Sequence, residues 1–495
     1  MSMTMDTMNY YIGLDLGTTG CKSTVFDEDG RVCGNAYIEY GLLVDGDFVE
    51  RDPNDWWEFS CQAIDGALQE AGCKREAVRG LSISSQGISF VLLDKEGRPL
   101  GNAVNWLDMR AVEQARRLEE RWPQGEWFRL TGKRPGPSYI LPKLLWLREH
   151  EPERWAQADI LLTAHDFLLW KLTGRYATEH TMAGGSLLYS LEERGWDRRI
   201  LRAFSISPEI LPPICTAGTA FLLTEAARAR LGLGEGTVVA VGGQDQKIAA
   251  FGAGIGPDIA TLSLGTAGAM EFLCPRPVFD ERDRLPLFTY LFDGQWVAES
   301  VISTSGVALK WLRNTLFPGV SYSRLDELAA AAQPGAGGVC FFPHLTGASS
   351  PHWEADAKGG FCGITLNTTA GDLVRSVLEG IAFELKENMD VYREASGLPI
   401  REVRAFGGGA SSAVWCEILC GICGVPVRAF SCPEIANYGA ARLAFIGAEE
   451  HDGLGRQMLE DTVVYTPGED TAALYRDIDA YYKKQEAAFL GSERE

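Results

Sequence analysis

Two stretches far apart in the chain, LDLGTTG at 14–20 and LSLGTAG at 262–268, repeat one pattern: an apolar strand, a turn of small residues containing Gly and Thr, and the start of a second strand. The surroundings repeat too. YYIGLDLGTTGCKSTVFDEDGRVCGNAYIEY (10–40) reads as a three-stranded antiparallel meander, and IATLSLGTAGAMEFLC (259–274) with LFTYLFDGQWVAES (287–300), which carries an Asp-Gly turn, reads as another. Later in each half a strand ends in glycine, REAVRGLSISSQG (75–87) and REVRAFGGGASS (401–412). Two units of one plan imply an internal duplication with its boundary near 247–255, so residues 1–247 and 248–495 are expected to form two α/β domains that enclose a cleft. A chain of 495 residues is long enough to bury two sizeable cores.

Within that frame, DPNDWWEFSCQAIDGALQEAG (52–72) reads as a helix with Asp52 or Asn54 as its cap, and the span from about 106 to 235 reads as mainly helical. The composition, 46% hydrophobic and 23% charged, is that of a globular protein. A formal net charge of -21 argues against nucleic acid as a partner, because that binding rests on Lys and Arg neutralising phosphates. The amino terminus lacks the basic and apolar regions of a signal peptide, and no run reaches the roughly 18 apolar residues of a membrane span, so a cytoplasmic location without a membrane partner is expected. The twelve cysteines are scattered, as for reduced buried thiols. Cys416, Cys420 and Cys423 fall on one helical face, with Cys432 beyond; the paired short spacings of a zinc site are missing, which favours a core role.

Three glycine turns and one acid carry the chemistry. The turns after Leu16 and Leu264 let backbone N–H groups and Thr hydroxyls approach a ligand closely, so together they read as phosphate loops, although hairpin sterics alone also select Gly and Thr. FGGGASS (406–412) precedes an amphipathic helix and suits a flat ligand with a polar edge; it is also an ordinary tight turn, and it lacks the spacing of the dinucleotide fingerprint. In GTVVAVGGQDQKIAAFGAG (236–254) Asp245 stands where an apolar strand meets a helix. It is either a helix cap or a general base.

YIGLDLGTTGCKSTVFD, DPNDWW, NWLDMR (105–110), PKLLWLREHEPE, GGQDQ, SLGTAG, KGGFCGIT with DLVRSVLEGIAFE, and GGGASS resemble, in this order, the landmarks of the FGGY carbohydrate kinases, a family that includes xylulokinases, glycerol kinases, fuculokinases and ribulokinases. The resemblance runs from about residue 11 to 485. It implies two ribonuclease-H-like domains of the actin, hexokinase and Hsp70 superfamily, with ATP, Mg2+ and a small sugar meeting in the cleft. It also implies roles. Asp245 matches the catalytic base and Gln246 a sugar contact; Thr18, Thr19 and Lys22 match the first phosphate loop, Gly265 and Thr266 the second. Gly306 and Lys310 match nucleotide contacts, Gly408, Gly409 and Ser412 the adenosine pocket. Asp15, with Asp245, matches the acids that hold Mg2+, largely through water. Many relatives are dimers, so a homodimer is the assembly the resemblance implies.

The sugar pocket is expected from the first half, with Gln86, Trp106, Asp108, Arg110 and Tyr139 as candidates beside Asp245 and Gln246; core packing for Trp106 and an ion pair for Arg110 are the competing explanations. SSQGIS (84–89) has Gly87 and Ile88 where xylulokinases carry Met-His and glycerol kinases Arg-Glu after the shared Gln, Ile140 stands where the family usually has Pro, Ser or Thr, and Ala348 and Ser349 replace a common Glu-Arg. ATEHTMAGGS is similar to fuculokinase stretches, VERDPNDWW and ISSQG to L-xylulose kinases. The expectation is therefore an ATP-dependent kinase of a small ketose, most naturally a pentulose such as xylulose, with L-fuculose, another ketose or a polyol as alternatives. A non-catalytic sugar- and nucleotide-binding regulator would have lost the base or the phosphate turns, and both are kept.

Overall fold

Strand β1 (Tyr10–Leu16) is apolar except at Asp15, and its other residues are buried, the pattern of a strand covered on both faces. The computed structural model, which describes residues 8–490 apart from 124, 450, 457 and 458, places it centrally. It pairs antiparallel with β2 (Gly20–Asp27), which pairs with β3 (Val32–Glu39), and parallel with β4 (Val78–Ser85) on its other side. With β5 (Ala220–Leu222) and β6 (Val238–Gln244) the order is β5-β6-β4-β1-β2-β3.

The second half builds the same arrangement. Strands β7 (Ile259–Leu264), β8 (Gly268–Cys274), β9 (Trp296–Ile302), β10 (Glu402–Phe406), β11 (Val427–Phe430) and β12 (Thr462–Tyr465) run in the order β12-β11-β10-β7-β8-β9. In each sheet three parallel strands form the middle, β6-β4-β1 and β11-β10-β7, and an antiparallel strand closes the edge next to them.

The division of the chain in space is interleaved. One compact unit comprises residues up to 252 together with Leu287–Trp296 and Glu434–Glu460; the other comprises Ala253–Pro286, Val297–Pro433 and the segment from Asp461. The sequence reading puts 248–495 in one domain; by contacts, helix Ile435–Glu449 packs with the first unit, lying against β1 and β4. The reason is local. A Cβ on Gly13 would come within 1.8 Å of the Asn437 carbonyl oxygen, so glycine at the centre of β1 is what lets the helix backbone approach. Asn437 then donates from Nδ2 to the carbonyls of Gly13 (2.9 Å) and Lys22 (3.0 Å).

The first core gathers Ile12, Leu14, Trp56, Ile64, Leu81, Ile83 and Val239 between sheet and helix. Helix Pro53–Ala71 starts as its sequence implies, Asp52 accepting from the Asn54 amide, and ends at left-handed Gly72. A second cluster, around Phe90, Trp127, Ile140, Leu144 and Leu161, forms under a smaller five-stranded sheet inserted into the first unit. The region expected to be mainly helical contributes a strand to that sheet, Ile160–Thr163. All twelve cysteines are free thiols. Cys416 and Cys420 donate to the carbonyls of Ala410 (3.4 Å) and Tyr465 (3.2 Å), consistent with their core reading.

Candidate active site

In the first unit the carboxyl ends of β1, β4 and β6 lie side by side: Asp15 is opposite Ser84, and Gln244 opposite Ser85. Ligands of open α/β sheets bind at such ends. Ser84 donates from its hydroxyl to Asp15 Oδ1 (2.7 Å), and Lys22 lies opposite Asp15 on β2. Lys22 Nζ contacts both oxygens of Glu434, at 3.2 and 3.0 Å. Burial pushes the Asp15 carboxyl above its usual range, against the Ser84 hydroxyl and Lys22, and Glu434 adds to the rise. Glu434 was absent from the sequence reading, since it arrives from 412 residues away.

The turn between β1 and β2 is braced from beneath. Gly17 O accepts from the Tyr40 hydroxyl (2.5 Å) and from Gln86 Nε2 (3.2 Å), leaving Thr18 partly and Thr19 fully at the surface. Gln86 Oε1 accepts from Ser89 (3.1 Å) and Asn105 (3.2 Å), so both ends of this expected sugar-contacting amide bond to protein. Next to it Ile88 has φ 56°, rare for a β-branched side chain and a strain of roughly 1–3 kcal/mol.

NWLDMR forms the adjacent loop. Trp106 is 37% exposed and its indole N–H donates to Thr18 Oγ1 (2.8 Å), tying this loop to the turn between β1 and β2. Asp108 is fully buried; its carboxylate accepts from the Val49 amide (2.7 Å) and twice from the Arg110 guanidinium (2.8 and 2.8 Å). Arg110 also contacts Glu50 and lies over Phe48 and Trp146, a buried ion pair instead of a surface one. Lys143 is buried and holds the loop by donating to the carbonyls of Asn105 (2.7 Å) and Trp106 (3.4 Å). Its burial, opposed by Asp108, lowers its ammonium to about 7. Sequence reasoning gave Lys143 no role; a lysine inside an apolar helix, Ile140–His150, was the available signal. Tyr139 precedes that helix, half-buried.

At Asp245 the two glycines of GGQDQ explain themselves sterically. A Cβ on Gly242 would lie 1.7 Å from the Ile83 carbonyl oxygen, and the register of β6 against β4 shifts between Ala240 and Gly243. Such a bulge re-aims the residues that follow it. Asp245 begins helix Asp245–Ala253, and its Oδ1 accepts from Gln244 Nε2 (2.6 Å) and the Gln246 amide (2.7 Å). These two contacts hold the carboxylate at the helix mouth. Beneath it, the Gln244 amide donates to Thr181 Oγ1 (2.9 Å), and Thr181 donates from hydroxyl and amide to Glu179 Oε2 (2.5 and 2.7 Å). Burial lifts the Glu179 carboxyl to about 8.

The second unit holds the other candidates. The turn Gly265-Thr266 is gripped by the start of helix Gly306–Leu316: the Gly306 amide donates to Gly265 O (2.9 Å), the Val307 amide to Thr266 O (3.1 Å). A Cβ on Gly306 would lie 2.5 Å from Gly265 O. Lys310 is exposed one turn along that helix. Gly408 faces open space, Gly409 abuts Leu264 and Trp415, and Ser412 caps helix Ala413–Cys423 by accepting from the Trp415 amide (3.3 Å). Thus Gly265, Thr266, Gly306, Gly408 and Gly409 gather at the carboxyl ends of β7 and β10, as Asp15, Gln86 and Asp245 do in the first unit.

Solved sugar kinases have this fold. A ligand-bound xylulose kinase and a gluconate kinase, both from Lactobacillus acidophilus, each superpose with a TM-score of 0.91 at 25% identity, over 98% of this chain and 99% of theirs. In sequence the chain is 31% identical over 484 residues to xylulose kinase of Staphylococcus epidermidis, covering 97% of this chain and 96% of that one, and 34% identical over 465 residues to glycerol kinase of Thermus brockianus, covering 89% and 90%. The molecule is a two-domain α/β phosphotransferase of the ribonuclease-H-like type, acting on a sugar hydroxyl. It belongs to the FGGY family of carbohydrate kinases, whose N-terminal domain model matches residues 10–252 and whose C-terminal domain model matches 260–448.

Proposed function

We infer that this sugar kinase transfers the γ-phosphoryl group of ATP to a terminal hydroxyl of a small ketose, a pentulose of the xylulose kind. The observation that carries the inference is Asp245, a carboxylate at a strand end, held by Gln244 and the Gln246 amide next to the SQGIS turn: a Cβ on Gly87 would lie 3.0 Å from Gln244 Cγ. The ketose assignment draws on the relatives named xylulose kinase.

In this reading Asp245 orients the attacking hydroxyl and takes its proton as the O–P bond forms, while the bond from the γ-phosphorus to the bridging oxygen breaks and ADP leaves. The exposed Trp106 ring offers an apolar face to the sugar, with Tyr139 and Gln246 as further contacts. Gln86 and Asp108 act as positioning residues, since both side chains bond to protein. Thr18, Thr19 and Lys22 contact the phosphoryl group as it passes to the sugar; Gly265, Thr266, Gly306 and Lys310 hold the nucleotide phosphates, and Gly408, Gly409 and Ser412 border the adenosine.

Asp15 and Asp245 fit Mg2+. Asp15 and Glu434 set two carboxylates against the single ammonium of Lys22, an acid excess with oxygen donors that suits a hard cation. When bound, Mg2+ neutralises phosphate charge.

The test is ADP release in a coupled assay with D- and L-xylulose, D-ribulose, L-fuculose, gluconate and glycerol. A pentulose is expected to give the highest kcat/KM, and Asp245→Asn to lose about 10³-fold or more in kcat with ATP affinity kept. Turnover of glycerol alone would overturn the ketose assignment; near-normal turnover of the Asp245 variant would overturn the base.

A further inference from the structure

The second unit contains a polar cluster to which the phosphoryl-transfer reading assigns no part. His344 and His352 lie in the segment after strand Cys340–Phe342, Glu384 on helix Ala370–Ser396, and Glu486 on helix Glu469–Phe489. One ligand atom from each, two imidazole and two carboxylate, gathers so that all lie within 4.8 Å of one another. Glu384 Oε1 is 3.3 Å from His344 Nε2 and 3.6 Å from His352 Nε2; Glu486 Oε1 is 3.7 and 3.9 Å from the same nitrogens.

These four atoms are buried, and although they face one another as His–Glu pairs at 3.3 to 3.9 Å, none makes a well-formed hydrogen bond. Buried polar atoms so poorly satisfied are expensive, and four that converge on one point from three chain segments suit a common partner. The charges agree once the metal displaces the imidazole protons: two carboxylates and two neutral imidazoles balance a divalent cation. Zn–N bonds of about 2.0–2.1 Å and Zn–O bonds of about 2.0–2.2 Å put tetrahedral ligand atoms roughly 3.3 Å apart, near the shortest spacing here, so small side-chain shifts complete the shell. Glu387 Oε2, 3.4 Å from His352 Nε2, supplies a further carboxylate at the rim.

We propose that His344, His352, Glu384 and Glu486 form a structural zinc site that ties the segment around 343–359 to the two helices. The segment is worth tying. Its Ser350 hydroxyl accepts from the Val301 amide (2.7 Å), its Ser349 hydroxyl from the Ser303 amide (3.2 Å), and Asn388 of helix Ala370–Ser396 donates to Ser350 O (3.0 Å). Val301 and Ser303 lead directly into Gly306, which grips the Gly265-Thr266 turn. Zinc therefore braces the nucleotide turn from behind without touching it.

The full-length protein, stripped by chelator dialysis, is titrated with Zn2+ against a chromophoric chelator and separately with Co2+. About one equivalent of zinc is expected, bound below ~1 µM, with a higher Tm than the stripped protein. Co2+ is expected to give the intense visible d–d bands of a tetrahedral site. His352→Gln and Glu486→Gln are each expected to weaken zinc by ~10-fold or more. Wild-type protein that takes up no zinc at micromolar concentration, shows no zinc-dependent Tm, or gives only the faint Co2+ spectrum of an octahedral ion would overturn the site, whatever the variants do. Zinc affinity unchanged in both variants would overturn it too.

Discussion

The two Gly-Thr hairpins are alike in backbone and different in charge. The first sets Asp15 across from Lys22 on the neighbouring strand, with Glu434 beyond. The second has Ser263 where the first has Asp15, and its turn is fixed by backbone amides of helix Gly306–Leu316. One duplicated element has thus diverged into a charged turn, whose acids suit a cation, and a neutral turn, whose backbone dipoles suit an anion. Removing the side-chain polarity at these matched positions should therefore be severe in the first half and mild in the second.

Between the two hairpins the largest effect is expected at Asp15. Asp15→Asn should lower kcat by about 10³-fold and raise the Mg2+ concentration needed for half-maximal rate, while Ser263→Ala should change kcat by less than about 3-fold. Steady-state rates across a Mg2+ series check both. Comparable losses in the two variants would break the contrast.

Next comes a pH effect confined to the first unit. Glu179, under Asp245, stays protonated to about 8, whereas in the unfolded chain it ionises near the usual glutamate value. Between these values the folded state binds more protons, so this group's contribution to stability falls as pH rises. Glu179→Gln cannot lose a proton. From pH 5 to 8 the wild type should lose about 3–4 kcal/mol of unfolding free energy relative to the variant, measured by urea denaturation. A pH-independent difference between the two would mean that the Glu179 carboxyl is ionised in the fold.

What could be read in advance follows the range of the interactions. The hairpins, the Asp52 cap and the position of Asp245 depend on residues within a few places of each other, and periodicity with turn chemistry reports these. The sequence also points to cysteines as the one place to weigh zinc, and the thiols of Cys416 and Cys420 donate to carbonyls. The cluster that does converge joins His344 to Glu486 across 142 positions, with no spacing to recognise (486 less 344). Glu434 was hidden for the same reason. Gln86 and Asp108 have the residue types of sugar ligands, but only packing reveals that their polar atoms bond to Asn105, Ser89, Val49 and Arg110.

The smallest effect concerns how the charged half joins its Gly-Thr turn to the loop that carries Trp106. The Trp106 indole donates to Thr18 Oγ1 across 88 positions, whereas the second turn is held by the backbone amides of Gly306 and Val307. This is one neutral hydrogen bond near the surface, worth about 0.5–1.5 kcal/mol. A double-mutant cycle with Trp106→Phe and Thr18→Val isolates it, because each change removes the bond while keeping most of the volume. Each single variant should raise the sugar KM by roughly 3- to 10-fold, and the double variant by little more than the worse single one. If the effects multiply instead, Trp106 serves the sugar and Thr18 the phosphate independently. The two loops of the charged half would then be as separable as those of the neutral one.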